Sequence, residues 1–560
     1  MKATLHGSRA TATWFRKRPG PRLRRIAVAV LTVLTIAARP VYEASAYTIS
    51  TDTFFSSLDG VLGIDDDGVV NGIFTRNDGL LITSTGKILN LDHPSNNNSS
   101  AGEIGLDIGL DFEMQAGAQV LAENRFGNGT GGTITINVGG DMLLRGTGVD
   151  ATSARISSRN KSSSNANDDG GDIAITVGGA FKTEAGSLIT SGLYDEEQDI
   201  PPAGDISVTA HTIDVDGAIR AESRLSGGGS GRAGGGQITL IADCDLNVGD
   251  TGVVSSRGQD QGPDLVHLEG CDVTIYGVVQ SIGPAHATNT DTATDPPTRP
   301  DKPVNSTAAV EIWAGGNLVI DATNGHFGQI NADVGQSGGP EGISWIDLLA
   351  RGDIEIKGLA NGAVYAVHAN SNFLSNDHGG IVTVKSTEGE VRLSGLALQA
   401  LANAAGGDGG DVVVQALLDA IFTAASIDVR GGTTGGGVPT GGNIDVRSFL
   451  GSLSWTNGFG LAGGSTNGTI DLIAALSIIT TGTTFTPNAT TSLINGGGEP
   501  DLQPYQLLPE CEDCEARSVP EPSTWMIAAL GACVLGAVGL RRRRANRSKR
   551  DLTDLVRERE

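Results

Sequence analysis

The sequence predicts an all-β protein: a parallel β-helix, or solenoid, with an N-terminal signal peptide and a C-terminal single transmembrane helix. Three observations predict it. First, a glycine corner followed by an alternating apolar strand recurs along the chain. Copies are Gly131-Gly132-Thr133-Ile134, Gly170-Gly171-Asp172-Ile173, Ala203-Gly204-Asp205-Ile206 and Gly235-Gly236-Gln237-Ile238. Later copies are Arg351-Gly352-Asp353-Ile354, Gly379-Gly380-Ile381-Val382, Gly409-Gly410-Asp411-Val412, Gly441-Gly442-Asn443-Ile444 and Asn467-Gly468-Thr469-Ile470. Their starts lie 39, 33 and 32 residues apart in the first group and 28, 30, 32 and 26 in the second. A loose period near thirty means a repeat that buries its apolar face only against its neighbours. Second, 81 of 560 residues are glycine and 4% are aromatic, which suits many tight corners needing positive φ. Third, the Ile/Val/Leu alternation returns too regularly for a disordered Gly/Ser/Asn/Asp-rich chain. The absence of a three-residue glycine rule excludes collagen.

Residues 1–46 read as a secretory signal peptide. Arg22, Arg24 and Arg25 close a basic region, and Ile26 to Ala38 is an apolar run too short to span a bilayer comfortably. Ala44-Ser45-Ala46 is a small-x-small cleavage site, so the mature chain is expected to start at Tyr47. Charge is unevenly placed. Residues 1–46 hold nine Lys/Arg and one acid, and residues 541–560 nine and four. The body, 47–540, then holds 21 basic and 59 acidic side chains, a net of −38. Such a surface repels nucleic acid and anionic lipid, and the basic clusters belong to targeting.

The body divides into a first β-helix segment (47–283), a Pro/Thr-rich loop (284–307), a second β-helix segment (308–494) and a Gly/Pro/Glu linker (495–518). Tyr47 to Phe54 is expected to lead into the solenoid, which begins with a cap. One repeat shows the construction. Thr133 to Val138, Asp141 to Arg145 and Ala154 to Ser158 are three short strands separated by glycine turns, and Arg159 to Asp169 leads to the next copy. Three strands per repeat make one coil. Roughly fourteen coils stacked about 4.8 Å apart give a rod of some 65–70 Å. Pro296, Pro297, Pro300 and Pro303 bar helix and central strand from the 284–307 loop. Leu393 to Ala405 has a helical look but fits the solenoid frame.

The tail carries the most specific motif. Val519-Pro520-Glu521-Pro522 precedes an apolar run at 525–540. Arg541, Arg542, Arg543 and Arg544 follow directly, and a basic and polar tail runs over 545–560. Physically this is a short membrane helix with a positive cytoplasmic stop. The tripartite order over 519–544 resembles the PEP-CTERM sorting signal recognised by exosortase in Gram-negative bacteria. The resemblance implies export, a transient stay in the inner membrane and cleavage near Pro520-Glu521-Pro522 by exosortase. It also implies a final place at the cell surface, in the outer membrane or outside the cell, with a link to exopolysaccharide and biofilm. The coil phrasing is similar to the haemagglutination-type repeats of secreted β-helix adhesins.

Pectate lyases and polygalacturonases are β-helices that gather Asp with Lys, Arg or His on one face. Here Asp65, Asp66 and Asp67, and Asp168, Asp169 and Asp172, cluster without a recurring basic partner. Carboxylates alone can bind calcium, although Asp is an ordinary turn residue. Gly406 to Val414 fits the calcium-binding nonapeptide once, whereas such sites need tandem copies. Gly335-Gln336-Ser337-Gly338-Gly339 matches a nucleophile elbow but lacks the helix after it. His211, His267, His368 and His378 show no metal-binding spacing and read as surface or corner residues.

Of five cysteines, Cys244 and Cys271 lie about one coil apart and are candidates for a disulfide. Cys511 and Cys514 permit a redox pair, half a zinc site or a small linker disulfide. The expectation is a non-enzymatic exported structural or adhesion rod that needs no cofactor. Its expected partners are exosortase, extracellular polysaccharide or neighbouring matrix protein. The alternative is a polysaccharide lyase or glycoside hydrolase on the same scaffold.

Overall fold

The computed structural model describes residues 46–54, 73–91, 100–124, 130–160, 170–192, 202–223, 234–258, 265–284, 306–335, 343–360, 364–370, 379–402, 407–432, 439–493 and 511. Residues 1–45 of the expected signal peptide, the cluster at Asp65 to Asp67, the 285–305 part of the proline-rich loop, most of the linker and the whole 519–544 sorting signal lie outside them. Among the described residues, strands dominate and a single 3-10 turn, Asp150–Thr152, is the one helical element.

Among the described residues every strand pairing is parallel, and a strand inside the stack meets its counterpart one coil before and one coil after. Ile134–Val138 pairs with Ile104–Ile108 on one side and with the start of Ile173–Thr183 on the other. Met142–Leu144 sits between Phe112–Met114 and Phe181 to Thr183. Arg155–Ser157 sits between Gln119–Leu121 and Leu188–Thr190. These define three sheets, called first, second and third in the order the chain visits them. Among the described residues the first sheet has fourteen rungs, from Phe74–Arg76 to Thr490–Leu493. Fourteen coils is the expected number.

The alternation of the strands becomes columns. In the first sheet Leu106, Ile136, Ile175, Val208 and Leu240 stack in register and are at most 2% exposed. Phe112, Met142, Phe181 and Ile213 do the same in the second sheet, and Val120, Ile156, Ile189 and Ile219 in the third. A parallel in-register stack puts like against like, so β-branched and straight aliphatic residues pack without voids along the rod. Near the C-terminal end Trp455 fills the column instead. It lies edge-on to Phe422 and Phe485, and its indole N–H donates to the Ala425 carbonyl at 3.1 Å. Gly460 makes room beside it, since a Cβ there would meet the Phe485 ring at 2.8 Å.

Three expectations change. The corner glycines of the repeated phrase are not there for positive φ. Among the described residues, glycines with positive φ are Gly117, Gly148, Gly186, Gly325, Gly395 and Gly482, none of them in the Gly-Gly-Asp phrase. The phrase needs glycine because coils touch backbone to backbone: a Cβ on Gly442 would sit 1.7 Å from the Gly410 carbonyl oxygen. Next, Tyr47–Ile49 and Asp52–Phe54 already pair with Leu80–Ile82 and Lys87–Leu89, so Tyr47 to Phe54 belongs to a coil rather than leading into one. Last, Leu265–Gly270 pairs with Ser306–Ala314 across the proline-rich loop, and the first sheet runs on unbroken past it. The segment with a helical look is strand Val391–Gln399.

Candidate functional site: stacked corners, an outward His–Glu–Trp face and the C-terminal tail

The corner aspartates have a defined task. Asp172 Oδ1 accepts the backbone N–H of Asp205 at 2.9 Å, and Asp205 Oδ1 accepts that of Gln237 at 2.8 Å. The corner between the first and second sheets repeats this. Asp111 takes the N–H of Asp141, and Asp141 that of Ala180. Asp272, Asn317 and Asp353 continue it with the N–H groups of Asn317, Asp353 and Glu390. A turn has backbone donors that no strand ladder satisfies, and a short carboxylate or amide one coil away is the right length to accept them. These corner carboxylates are therefore architectural. Burial, with the Asp172 charge adding, pushes the Asp205 carboxyl above its ordinary value. Burial does the same to Asp216, with Asp214 adding.

Asp408 and Asp411 of the nonapeptide-like stretch are used in this way. Asp408 accepts the N–H of Thr440 at 2.6 Å, and Asp411 the side-chain amide of Asn443 at 2.9 Å. Asp168 and Asp169 lie outside the described residues, as do Gln336 to Gly339 of the elbow-like motif and His378. Among the described residues no three His, Cys, Asp or Glu side chains come together as a metal-binding group.

The face that gathers chemistry is the outward side of the first sheet in its seventh to ninth rungs. Register brings His267, Glu311 and Asp347 into one column and Glu269, Trp313 and Leu349 into the next. His267 Nδ1 lies 3.2 Å from Glu311 Oε2, and its Nε2 lies 3.3 Å from Glu269 Oε2. The imidazole stands edge-on to Trp313, centroids 4.8 Å apart. Two carboxylates, an imidazole and an indole in contact could hold a proton or a sugar ring. His267 is expected from the sequence at a surface or corner. It is instead buried on a sheet, beside partners 2 and 44 residues away. Only the coil register could have revealed the second. His368 is likewise buried, with Asp333 at 3.0 Å, whereas His211 lies near Cys244 and Asp243.

The cysteines pair differently from both expected pairings. Cys271 is bonded to Cys511, 240 residues later, with Cα atoms 5.4 Å apart. Cys244 is disulfide-bonded as well, so neither a Cys244–Cys271 nor a Cys511–Cys514 bridge forms. One-coil spacing brings Cys244 and Cys271 to successive corners. It carries no information on a third strand of chain arriving from the linker, which is why sequence separation misled.

An exported rod with a membrane-directed tail is the class that this fold and sequence define. The tail, residues 518–544, matches the PEP-CTERM protein-sorting motif, one residue longer than the span read from the sequence. The motif marks an extracellular protein that crosses the membrane, is processed by exosortase and is sorted to the cell surface. No curated protein and no solved structure matches the chain. Among the described residues no helix is long and apolar enough to cross a membrane; the expected span at 525–540 lies outside them.

Proposed function

We propose that this protein is a non-enzymatic structural or adhesive rod of the extracellular matrix, held in the inner membrane until exosortase releases it to the surface or outer membrane of a Gram-negative cell. Its partners are extracellular polysaccharide and neighbouring rods. The observation that carries this reading is the use of the corner carboxylates. Asp172, Asp205, Asp272 and Asp353 spend an oxygen each on the next coil's N–H, which makes them elements of a repeating shaft. Outward charges are similarly matched along the shaft, as in Arg145 between Glu113 and Glu184 and Arg447 on Asp445. A long polar face of this kind suits many weak contacts with a polymer.

The test uses the mature body, residues 47–518, with the exopolysaccharide of its own producer and with acidic polysaccharides. Co-sedimentation without change in polymer length is expected. A second reading, a polysaccharide lyase or hydrolase, is favoured by the His267–Glu311–Glu269 contact alone. Turnover that is lost in Glu311→Gln would establish that reading and overturn the first.

A further inference from the structure

The two ends of the shaft are unlike. At the N-terminal end the apolar residues are covered. Ile49 is 4% exposed and Phe74 is fully buried. The Arg76 guanidinium lies over the Tyr47 ring, 4.7 Å from its centroid, and is paired with Asp78. The C-terminal coil is bare. Its strands Ile478–Ile479, Thr484–Thr486 and Thr490–Leu493 each pair with the coil before and, among the described residues, with nothing after. Thr491 and Leu493 continue the inward columns of Leu472 and Ala474, which are buried, yet both lie open, Leu493 at 59%. Leu476 and Ile479 are 68% and 49% exposed. An unpaired strand edge is ordinarily guarded by charge or proline. None of these three strands carries either. Between Asp471 and Glu499 the sequence holds no Asp, Glu, Lys, Arg or His, in a body whose net charge is −38.

We infer that this end is an interface for the same end of a second copy, joining two rods tail to tail. The inference rests on the proposed role among neighbouring rods and names the surface two of them share. A two-fold contact sets a patch against its own copy, so a charged face would repel itself; this face has no charge to repel. A two-fold axis across the shaft also reverses the sense in which the coil winds. Each open edge then meets its mate antiparallel, the slightly more stable ladder. The cut core columns at Thr491 and Leu493 close on those of the other copy and leave water. The N-terminal end is no equivalent mate, because Ile49 and Phe74 have no apolar surface left to offer.

Sedimentation equilibrium of the mature exported protein over a concentration series tests this, with small-angle X-ray scattering to read shape. Wild type is expected to pair as concentration rises. The pair should have about twice the longest dimension of a single rod at the same cross-section. Thr491→Asp and Thr491→Lys should each weaken pairing at least about tenfold, and an equimolar mixture of the two should restore it, because opposite charges then face each other. Thermal melts check that both variants fold; if either melts early, the same two changes at the outward Ile479 replace them. Co-sedimentation with polysaccharide should be the same in every variant, which separates loss of pairing from loss of the matrix role. Four results overturn the inference: single rods at every concentration, whether or not the end then binds vesicles of neutral phospholipid; pairing that survives both charges; a pair doubled in cross-section instead of length; and a mixture that stays unpaired.

Discussion

At the residue scale, the corner aspartate is the unit that repays mutation. Asp205 has two properties that separate cleanly. Its Oδ1 accepts the Gln237 N–H, and its carboxyl is raised by burial with help from Asp172. A carboxyl whose folded pKa lies above its unfolded value binds its proton more tightly when folded. Stability therefore falls as pH climbs from the unfolded value through the folded one. Asp205→Asn keeps the acceptor and removes the charge. Its melting temperature relative to wild type should rise between pH of about 3.5 and about 7. Asp205→Ala loses the acceptor and should be destabilised by up to about 1 kcal/mol at both pH values. Equal shifts for the two variants in thermal melts would refute this account. A buried ion pair offers a sharper loss. Glu123 and Arg159 are 1% and 5% exposed at their side chains, 2.9 Å apart, with the Ser157 hydroxyl also donating to Glu123. Arg159→Met should cost about 1.5–3 kcal/mol in a denaturant titration, because it removes the nearer of two arginines on a buried carboxylate and leaves Arg155 at 3.5 Å.

At the element scale, the coil is the cooperative unit, and its neighbours are its only support. Gly442→Ala forces a Cβ to 1.7 Å from the Gly410 oxygen, so the two coils must part. Hydrogen exchange should accelerate in Asn443–Ser448 and the adjoining rungs while Ile134–Val138 stays protected; uniform acceleration would mean the rod melts as one body. Trp455→Ala should cost about 3–5 kcal/mol and act locally too. The elements themselves were legible in the sequence to within a residue or two. Thr133 to Val138 became Ile134–Val138, and Asp141 to Arg145 became Met142–Leu144. Period-two alternation bounded by glycine needs nothing beyond local chemistry. The purpose of the glycines was not legible, because close approach of two coils depends on residues thirty positions away. For the same reason the His267–Glu311 contact was hidden: the loop between their coils lengthens the spacing to 44 residues and breaks the period there.

At the scale of the whole molecule, the fold and the tail were read from the sequence, and the route by which one joins the other was not. A solenoid with a C-terminal signal suggests a tether at the end of the shaft. Cys511 instead meets the rod at its seventh rung. Peptide mapping of the mature surface protein under non-reducing conditions should recover one cross-linked pair containing Cys271 and Cys511. It should recover no peptide containing Arg541 to Arg544, since the motif at 518–544 is where exosortase acts. An intact tail on surface protein would contradict processing. A Cys271–Cys244 peptide would contradict the connectivity.

That connectivity has a mechanical meaning. A pull on an end-tethered solenoid is applied to its last coil, and here that coil is the weakest one, with Leu476, Ile479 and Leu493 exposed and no neighbour beyond Thr490–Leu493 among the described residues. Coils would peel off one at a time. With Cys271 bonded to Cys511, tension entering from the tail crosses directly to residue 271 and passes on through the N-terminal coils. The residues between form a closed covalent loop that carries no load. Half of the shaft is thereby taken out of the force path, and its fragile end is free to bear contacts with the surroundings without having to resist the drag on them.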